Sequence, residues 1–521
     1  MNSIFICVLL AIPCFGQDPT PPVRQTPAIQ EKAKSETQLL VADVCKSYFD
    51  ESKSKKVLET QAKKNFKAWQ ASAQKGDSSC MVLCGFCLWS GIVIEKDKTE
   101  AFIWFQKAAE LKNAAGQYFL SECYSKGDGV AQNINASMTY LTKAADQHLA
   151  VAETTMGRNF YSGTGVKIDQ AKAVEWFKKA AAQQESEGQC MLADCYFFGL
   201  GTRKDNALAT KYYREAAIQG HEDAEYKLAQ RLMEGSAGKK DPQEAIKWLR
   251  LAAEEKYPPA QSLLGNYYRH GNGVKEDQVE AVKWFRLAAE QGDIYGMSCY
   301  GVSLFWGEGV TKNAAEGVKW IRKCAAKDDV YSQGMLGRCY LEGEGIDKNE
   351  KEAVKWFTKA ARKNDVYAQC MMGICNFEGL GLEQDHKKAF EWFTKASKQN
   401  DPYSIALLGR CYLEGKGVEQ DEEEGVKQLT KAAKLGDPFG QATLGKCYMQ
   451  GIGVDVDEKE GFAWYKKSAE RNYLWAQERV GWCYEEGIGT DLSTTEAIKW
   501  YKKAAAKGNE AAKEALGRLN K

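Results

Sequence analysis

Histidine is nearly absent from this chain. Four occur in 521 residues: His148, His221, His270 and His386. They stand far apart, none at the spacing of a metal site and none beside a nucleophile that an imidazole could activate. Each is expected to serve as a helix cap or turn residue. Neither sign of charge is in excess: 71 Lys and Arg oppose 70 Asp and Glu, a net charge of +1. A nucleic-acid-binding chain needs a basic surplus to displace counterions from phosphates, so no nucleic-acid partner is expected. Beyond the first residues no apolar run approaches the ~18 needed to cross a bilayer, and no later membrane span is expected. Proline is scarce, and four of the 10 fall together at Pro19, Pro21, Pro22 and Pro27.

The N-terminus has its own character. Residues 4–15 are an apolar run too short to span a membrane, followed by Gly16. The small residues Cys14 and Gly16 precede Gln17 where a signal peptidase would read them. Residues 1–16 therefore read as a cleaved secretory signal. It would place the mature protein outside the cytoplasm, secreted or periplasmic, or in the endoplasmic-reticulum lumen of a eukaryote. Residues 17–36, with their prolines, read as a disordered linker.

Glycine, by contrast, is plentiful, with 47 residues, and it is periodic. A glycine loop recurs every 36 residues at Gly91, Gly127, Gly163, Gly199, Gly235, Gly271, Gly307, Gly343, Gly379, Gly415, Gly451 and Gly487. Such a period is the signature of a solenoid. In the Gly343 repeat, apolar residues upstream (Met335, Leu336, Cys339, Tyr340) recur at helical spacing. Gly343 and Gly345 end that helix, helix A. Asn349 then opens helix B, whose apolar face is Ala353, Trp356, Phe357, Ala360 and Ala361. The residue six after each leading glycine is Asp, Asn or Ser in all twelve repeats, the side chains that cap a helix N-terminus. In eight repeats a Glu follows three later, the pattern of a reciprocal capping box. Trp or Tyr recurs on helix B, as at Trp104, Trp176, Trp356 and Trp464, and is expected in the core. The fold expected is all-α: an α-α superhelix, a solenoid of twelve 36-residue helix-turn-helix repeats over residues 77–508. Degenerate helices at 37–76 would cap its start, and a lone helix at 509–521 its end.

The run Leu336-Gly337-Arg338-Cys339-Tyr340, the loop Gly343-Glu344-Gly345-Ile346, the cap Asn349 and the run Ala353-Val354-Lys355-Trp356-Phe357 resemble the Sel-one-like repeat family, relatives of the tetratricopeptide repeats. The resemblance recurs over about five-sixths of the chain. It implies a protein-interaction scaffold or adaptor, with no enzymatic activity and no cofactor. One branch, the cysteine-rich proteins of Helicobacter, binds β-lactams and staples its repeats with paired cysteines; a second alternative is an adaptor of endoplasmic-reticulum quality control. The staple would require a cysteine at Ser332 to match Cys324, and that pairing is broken here.

Of the 17 cysteines, eight share one position, four before the glycine: Cys87, Cys123, Cys195, Cys339, Cys375, Cys411, Cys447 and Cys483. Packed helices stand roughly 8–10 Å apart, beyond the ~7 Å that a disulfide bridges. These cysteines are expected to act as small buried hydrophobes. One step earlier, five before the glycine, helix A varies most: Phe86, Glu122, Arg158, Val302, Arg338, Ile374, Arg410, Lys446 and Trp482 among others. A position that varies inside a rigid repeat is free of packing duty. Arg338, Arg410 and Lys446, with Trp482 beside them, are therefore the candidate contacts for a protein or peptide partner on the concave, helix-A surface. Trp306 and Trp475 also lie outside the regular aromatic positions, either as exposed anchors or as local packing.

Overall fold

The computed structural model describes residues 36–46, 48, 51–236 and 238–519. The signal and nearly all of the linker expected from the sequence lie outside them. The described residues form 27 helices and no strand. The helices sort into two compact bodies, one ending at Gly188 and the other starting at Gln189. From helix Ser78–Ser90 onward they alternate A and B, joined by the glycine loops, down to the B helix Thr494–Ala505. Helices Glu36–Lys46 and Glu51–Gln74 precede the array, and helix Glu510–Leu519 follows it. This is an α-α solenoid of about twelve repeats, as the sequence periodicity requires.

In seven of the hairpins one contact sets the spacing: a glycine near the middle of helix A faces a buried ring on helix B. The others pair a small residue (Ser121, Ala193, Ala229, Gly301 or Gly409) with the corresponding helix-B residue. A Cβ on Gly337 would lie 2.6 Å from Phe357 Cε1; one on Gly85, Gly265 or Gly481 would lie 2.7 Å from the ring of Phe105, Phe285 or Tyr501. The absent side chain is what lets the ring seat, and no heavier residue fits without displacing it. The second loop glycine makes another close approach. Gly417 takes φ +80°, and a Cβ there would run into the carbonyl of His386, at the start of the preceding helix B.

Of the tryptophans expected in the core, Trp104 and Trp500 are there, at 9% and 6% exposed, while the others stand at its edge. Trp176, Trp320, Trp356, Trp392 and Trp464 are half-buried. Each carries a lysine from one turn on over its ring, Lys179 at 3.7 Å, Lys323 at 4.1 Å, Lys359 at 4.0 Å, Lys395 at 4.2 Å and Lys467 at 3.9 Å. The next residue along is the deep one: Phe177, Ile321, Phe357, Phe393 and Tyr465 are 0–3% exposed. Helical geometry explains the difference. Helix A crosses the stripe that contains the second residue of the pair, and the first lies some 100° around the helix, at the water line.

Every helix-B cap expected from the sequence is made: Asp97, Asn133, Asp169, Asp205, Asp241, Asp277, Asn313, Asn349, Asp385, Asp421, Asp457 and Ser493 each accept a bond from a first-turn amide. The capping box takes a different form. The amide that the glutamate would satisfy is already used, as Asn349 N donates to Tyr340 O of helix A at 2.8 Å. The glutamate pairs with a lysine one turn on, as in Lys319–Glu316 (2.9 Å) and Lys427–Glu424 (2.7 Å), or accepts from the tryptophan, as in Trp248 Nε1 to Glu244 at 3.1 Å.

Two further devices lock one repeat to the next. Helix A has caps of its own, Asp293, Asp329, Asp365, Asp401 and Asp437 among them. A buried glutamine on helix A reaches back to the end of the preceding helix B: Gln261, Gln333, Gln369, Gln441 and Gln477 donate to the carbonyls of Ala253, Ala325, Ala361, Ala433 and Ala469 at 3.0, 3.3, 3.4, 3.1 and 3.2 Å. Those carbonyls are among the last of a helix and have no intrahelical donor.

All fifteen described cysteines are buried thiols. Desolvation pushes Cys87, Cys339, Cys411 and Cys483 up to about 12, and Cys375 and Cys447 to about 11. Ser332, where a stapling cysteine would have to stand, faces the Cys324 thiol. A raised thiol pKa means less thiolate at any given pH, and the thiolate is the reactive form. In the native protein at pH 8, Ellman's reagent should therefore react with these fifteen thiols only as fast as the chain opens; prompt reaction of several would contradict this core. Gly337→Ala should cost about 1–3 kcal/mol by overpacking against Phe357. Asn349→Ala should cost about 1 kcal/mol by loss of the cap. Urea midpoints of the two variants test both, and an unshifted midpoint for Gly337→Ala would refute the ring-seat contact.

Candidate partner-binding face

Residues at the second, sixth, ninth and thirteenth places of a helix-A segment share one side of the helix. In the second body this side carries a lane of aromatics at the second place: Tyr295, Tyr331, Tyr367, Tyr403, Phe439 and Trp475, spaced every 36 residues. The four tyrosines are 49%, 56%, 41% and 42% exposed, although the helices that bear them are mostly buried. Tyr403 meets Phe439 edge-on with ring centroids 5.9 Å apart, and Phe439 meets Tyr473 at 6.5 Å. This lane is absent from the sequence-derived candidates. Its signal was available, as a recurrence at the second residue of helix A. The tyrosine of the eleventh place (Tyr340, Tyr412, Tyr448, Tyr484) and the helix-B tryptophans masked it.

The ninth place holds Arg338, Arg410, Lys446 and Trp482. Arg338 lies over the Trp306 ring at 4.8 Å and pairs with Glu342 at 2.9 Å. Arg410 lies over the Phe377 ring at 4.9 Å and pairs with Glu414 at 2.6 Å. Pairs of this partly exposed, one-turn kind are worth about 0.3–0.5 kcal/mol, so an incoming carboxylate can replace the glutamate at little cost. Lys446 is exposed and has no carboxylate partner among the described residues. Arg410 and Lys446 come together as walls of one cleft of about 430 Å³, with Leu413, Phe439, Tyr473, Trp475 and the carboxylates Glu414 and Glu422. A smaller cleft of about 80 Å³, lined by Phe377, Tyr403 and Leu407, lies at Arg410 as well. Arg338 is a wall of neither. Trp482 is half-buried against the core beside Tyr484, with Arg479 5.7 Å from its ring. The tryptophan at the cleft is Trp475, and that at Arg338 is Trp306.

The arrangement is suited to binding: aromatic surface, cations with weak or no partners, and apolar floors. Among the described residues no group of three His, Cys, Asp or Glu could hold a metal ion. Two of the histidines have the positions expected. His221 caps helix Glu222–Glu234 by accepting from Ala224 N at 3.2 Å, and His148 sits in a turn with φ 58°. Among the described residues no helix is long and apolar enough to cross a membrane.

The model of one repeat family, the Sel1 repeat, matches twelve consecutive segments: 78–113, 114–149, 150–185, 186–221, 222–257, 258–293, 296–329, 330–365, 366–401, 402–437, 438–473 and 476–509. Among solved structures, the chain is similar to c5321, a protective antigen of uropathogenic Escherichia coli strains with an SLR fold. The identity is 30% over 88% of this chain and 97% of that one, with a TM-score of 0.69. A Sel1 repeat protein of Oxalobacter formigenes is 29% identical over 59% of this chain and 90% of that one, with a TM-score of 0.46. Cysteine-rich protein B of Helicobacter pylori is 23% identical over 25% of this chain and 98% of that one, with a TM-score of 0.23. No curated protein matches the chain. The match of the family model to nearly the whole array, over the paired helices just described, makes this chain a member of the Sel1 repeat family.

Proposed function

We propose that this protein is a non-enzymatic adaptor that holds a protein or peptide along the helix-A face of its repeats, with Arg338, Arg410 and Lys446 as polar contacts. Sel1 repeat proteins are in general protein-interaction scaffolds. The observation that carries the reading is the aromatic lane. Tyr295, Tyr331, Tyr367 and Tyr403 are large rings repeated in register, 41–56% exposed even where one edge packs, as that of Tyr367 does on Phe357 at 6.2 Å. A lane of rings offers contact area at small entropic cost, and cations beside it supply direction. Trp482, half-buried beside Tyr484, is a further candidate contact, and Trp306 and Trp475 are the tryptophans beside Arg338 and the cleft. The work is done by many modest contacts over several repeats, with no bond made or broken. With residues 1–16 as an export signal, the adaptor acts outside the cytoplasm, and its mature N-terminus is Gln17.

The test is a comparison of partners captured by the full chain and by the variant R338E/R410E/K446E, with circular dichroism to show that both are folded. Partners retained by the parent chain should be lost by the variant; the same partners on both would discard this face. N-terminal sequencing of the native protein tests export separately, with Gln17 expected as the first residue and Met1 as the contradicting result.

A further inference from the structure

The first body shows what its own helix-A face accepts. Helix Glu36–Lys46 buries Val41, Val44 and Cys45 in the core of that body. Just after it, Tyr48 enters the helix-A face of the first two repeats. Its ring meets Tyr118 at 5.3 Å, Phe119 at 5.5 Å and Trp89 at 6.4 Å. Its hydroxyl donates to Glu122 at 2.8 Å and accepts from Lys126 Nζ at 3.0 Å. Glu122 occupies the ninth place of its helix and Lys126 the thirteenth, the places held by Arg338 and Glu342, and by Arg410 and Glu414, in the second body. In the first body, then, the variable position of helix A already has an occupant, an aromatic side chain supplied by the chain itself.

In the second body the same places stand open and the charges are exchanged. In two of its repeats the ninth place is cationic and the thirteenth acidic, Arg338 with Glu342 and Arg410 with Glu414, and in a third the ninth place is Lys446. Lys446 has only Gln450 at its thirteenth place, so its charge is unopposed there. Where Glu122 takes a proton donor from Tyr48, Arg410 and Lys446 call for an acceptor. The cleft between them is walled by Phe439, Tyr473 and Trp475, rings that pair edge-on with an added ring, and also by the carboxylates Glu414 and Glu422, so an incoming carboxylate must take the cations in competition with them. The rings around Tyr48 come from other helix-A places (Tyr118, Phe119 and Trp89) than those of the lane, so what the two faces share is ring-lined surface beside a charged ninth place. From this exchange of charge beside exposed rings, we infer that the Arg410–Lys446 cleft and the tyrosine lane bind a protein segment in which aromatic side chains are flanked by carboxylates. The inference rests on the helix-A face being the binding face, and names the chemistry of what it holds. An incoming aromatic ring seats against Phe439 and Trp475, as Tyr48 seats against Phe119 and Trp89. The neighbouring carboxylate bridges Arg410 and Lys446, displacing Glu414 from Arg410. Repetition of Arg338 and of the lane over several repeats lets one segment engage more than one seat.

The experiment uses the full chain and fluorescein-labelled random polypeptides, read by anisotropy. The probes are a glutamate–tyrosine copolymer, polyglutamate, and a lysine–tyrosine copolymer. The glutamate–tyrosine copolymer should bind about tenfold or more tighter than polyglutamate, since the rings add contacts that charge alone lacks. The lysine–tyrosine copolymer should not bind. R410E/K446E, and separately Tyr403→Ala/Phe439→Ala, should each weaken the favoured probe about tenfold. Polyglutamate binding as tightly, capture of the lysine–tyrosine probe, no binding at all, or indifference to both variants would each overturn the inference. If the copolymers fail while R338E/R410E/K446E still loses its captured partners, the adaptor reading stands and only this assignment of partner chemistry falls.

Discussion

The array depends on close approach of the two helices of a hairpin, most often through a ring of helix B laid on a glycine of helix A. That contact fixes how near two helices of a hairpin can come, and the rest of the hairpin is built to suit. The residues flanking the contact are small, as with Ala353 and Ala360 on either side of Phe357, all fully buried. Where the ring shrinks to Leu429, both helices use glycine, Gly409 and Gly425, and the backbones themselves close the gap. A fixed hairpin has a fixed outline, and only hairpins of one outline stack in register at a constant 36 residues.

Stacking then poses a polar problem. Each helix end presents carbonyls and amides that have lost their own-helix partners, and twelve repeats multiply those ends. The chain answers with parts that recur at the same place. Asp or Asn caps open both helices of most repeats, and the buried glutamine of one helix A satisfies the last carbonyls of the preceding helix B. Such glutamines donate to those carbonyls while 1–2% exposed, as at Gln261, Gln333 and Gln477, although the Oε1 atoms of Gln333 and Gln477 accept no bond among the described residues. The cost of one unmet amide would recur at every repeat, which is why the polar positions are as regular as the apolar ones.

The fold was legible because a repeat prints the same evidence many times. Helix existence, the glycine C-caps and the helix-B caps at Asn349 and its counterparts follow from the sequence alone. The capping box was misread because backbone competition is invisible in a motif: Tyr340 O takes the Asn349 amide before the glutamate can. Most of the tryptophan ladder lies shallower than its spacing suggests, because of two adjacent aromatics on a helix one faces the partner more fully, and spacing does not say which; only Trp104 and Trp500 are also buried. At the proposed binding face, the variability of the ninth place of helix A singles out Arg338, Arg410 and Lys446 as candidates. It did not show that Trp482 packs inward, nor that the exposed rings are those of the second place. Exposure depends on the neighbouring repeat, which a single-repeat pattern does not contain.

A scaffold of this kind leaves some surface unused by its own packing, and the helix-A lane is where this chain does so in register. In the first body that surface is closed over Tyr48; in the second it is open beside Arg410 and Lys446. The most direct measurement places a photoreactive benzoylphenylalanine at Phe439, on the lane, or at Leu287, exposed on helix B. Irradiation in native extract should give a covalent adduct with partner from position 439 and none from position 287. Adducts from 287 with none from 439 would contradict the account.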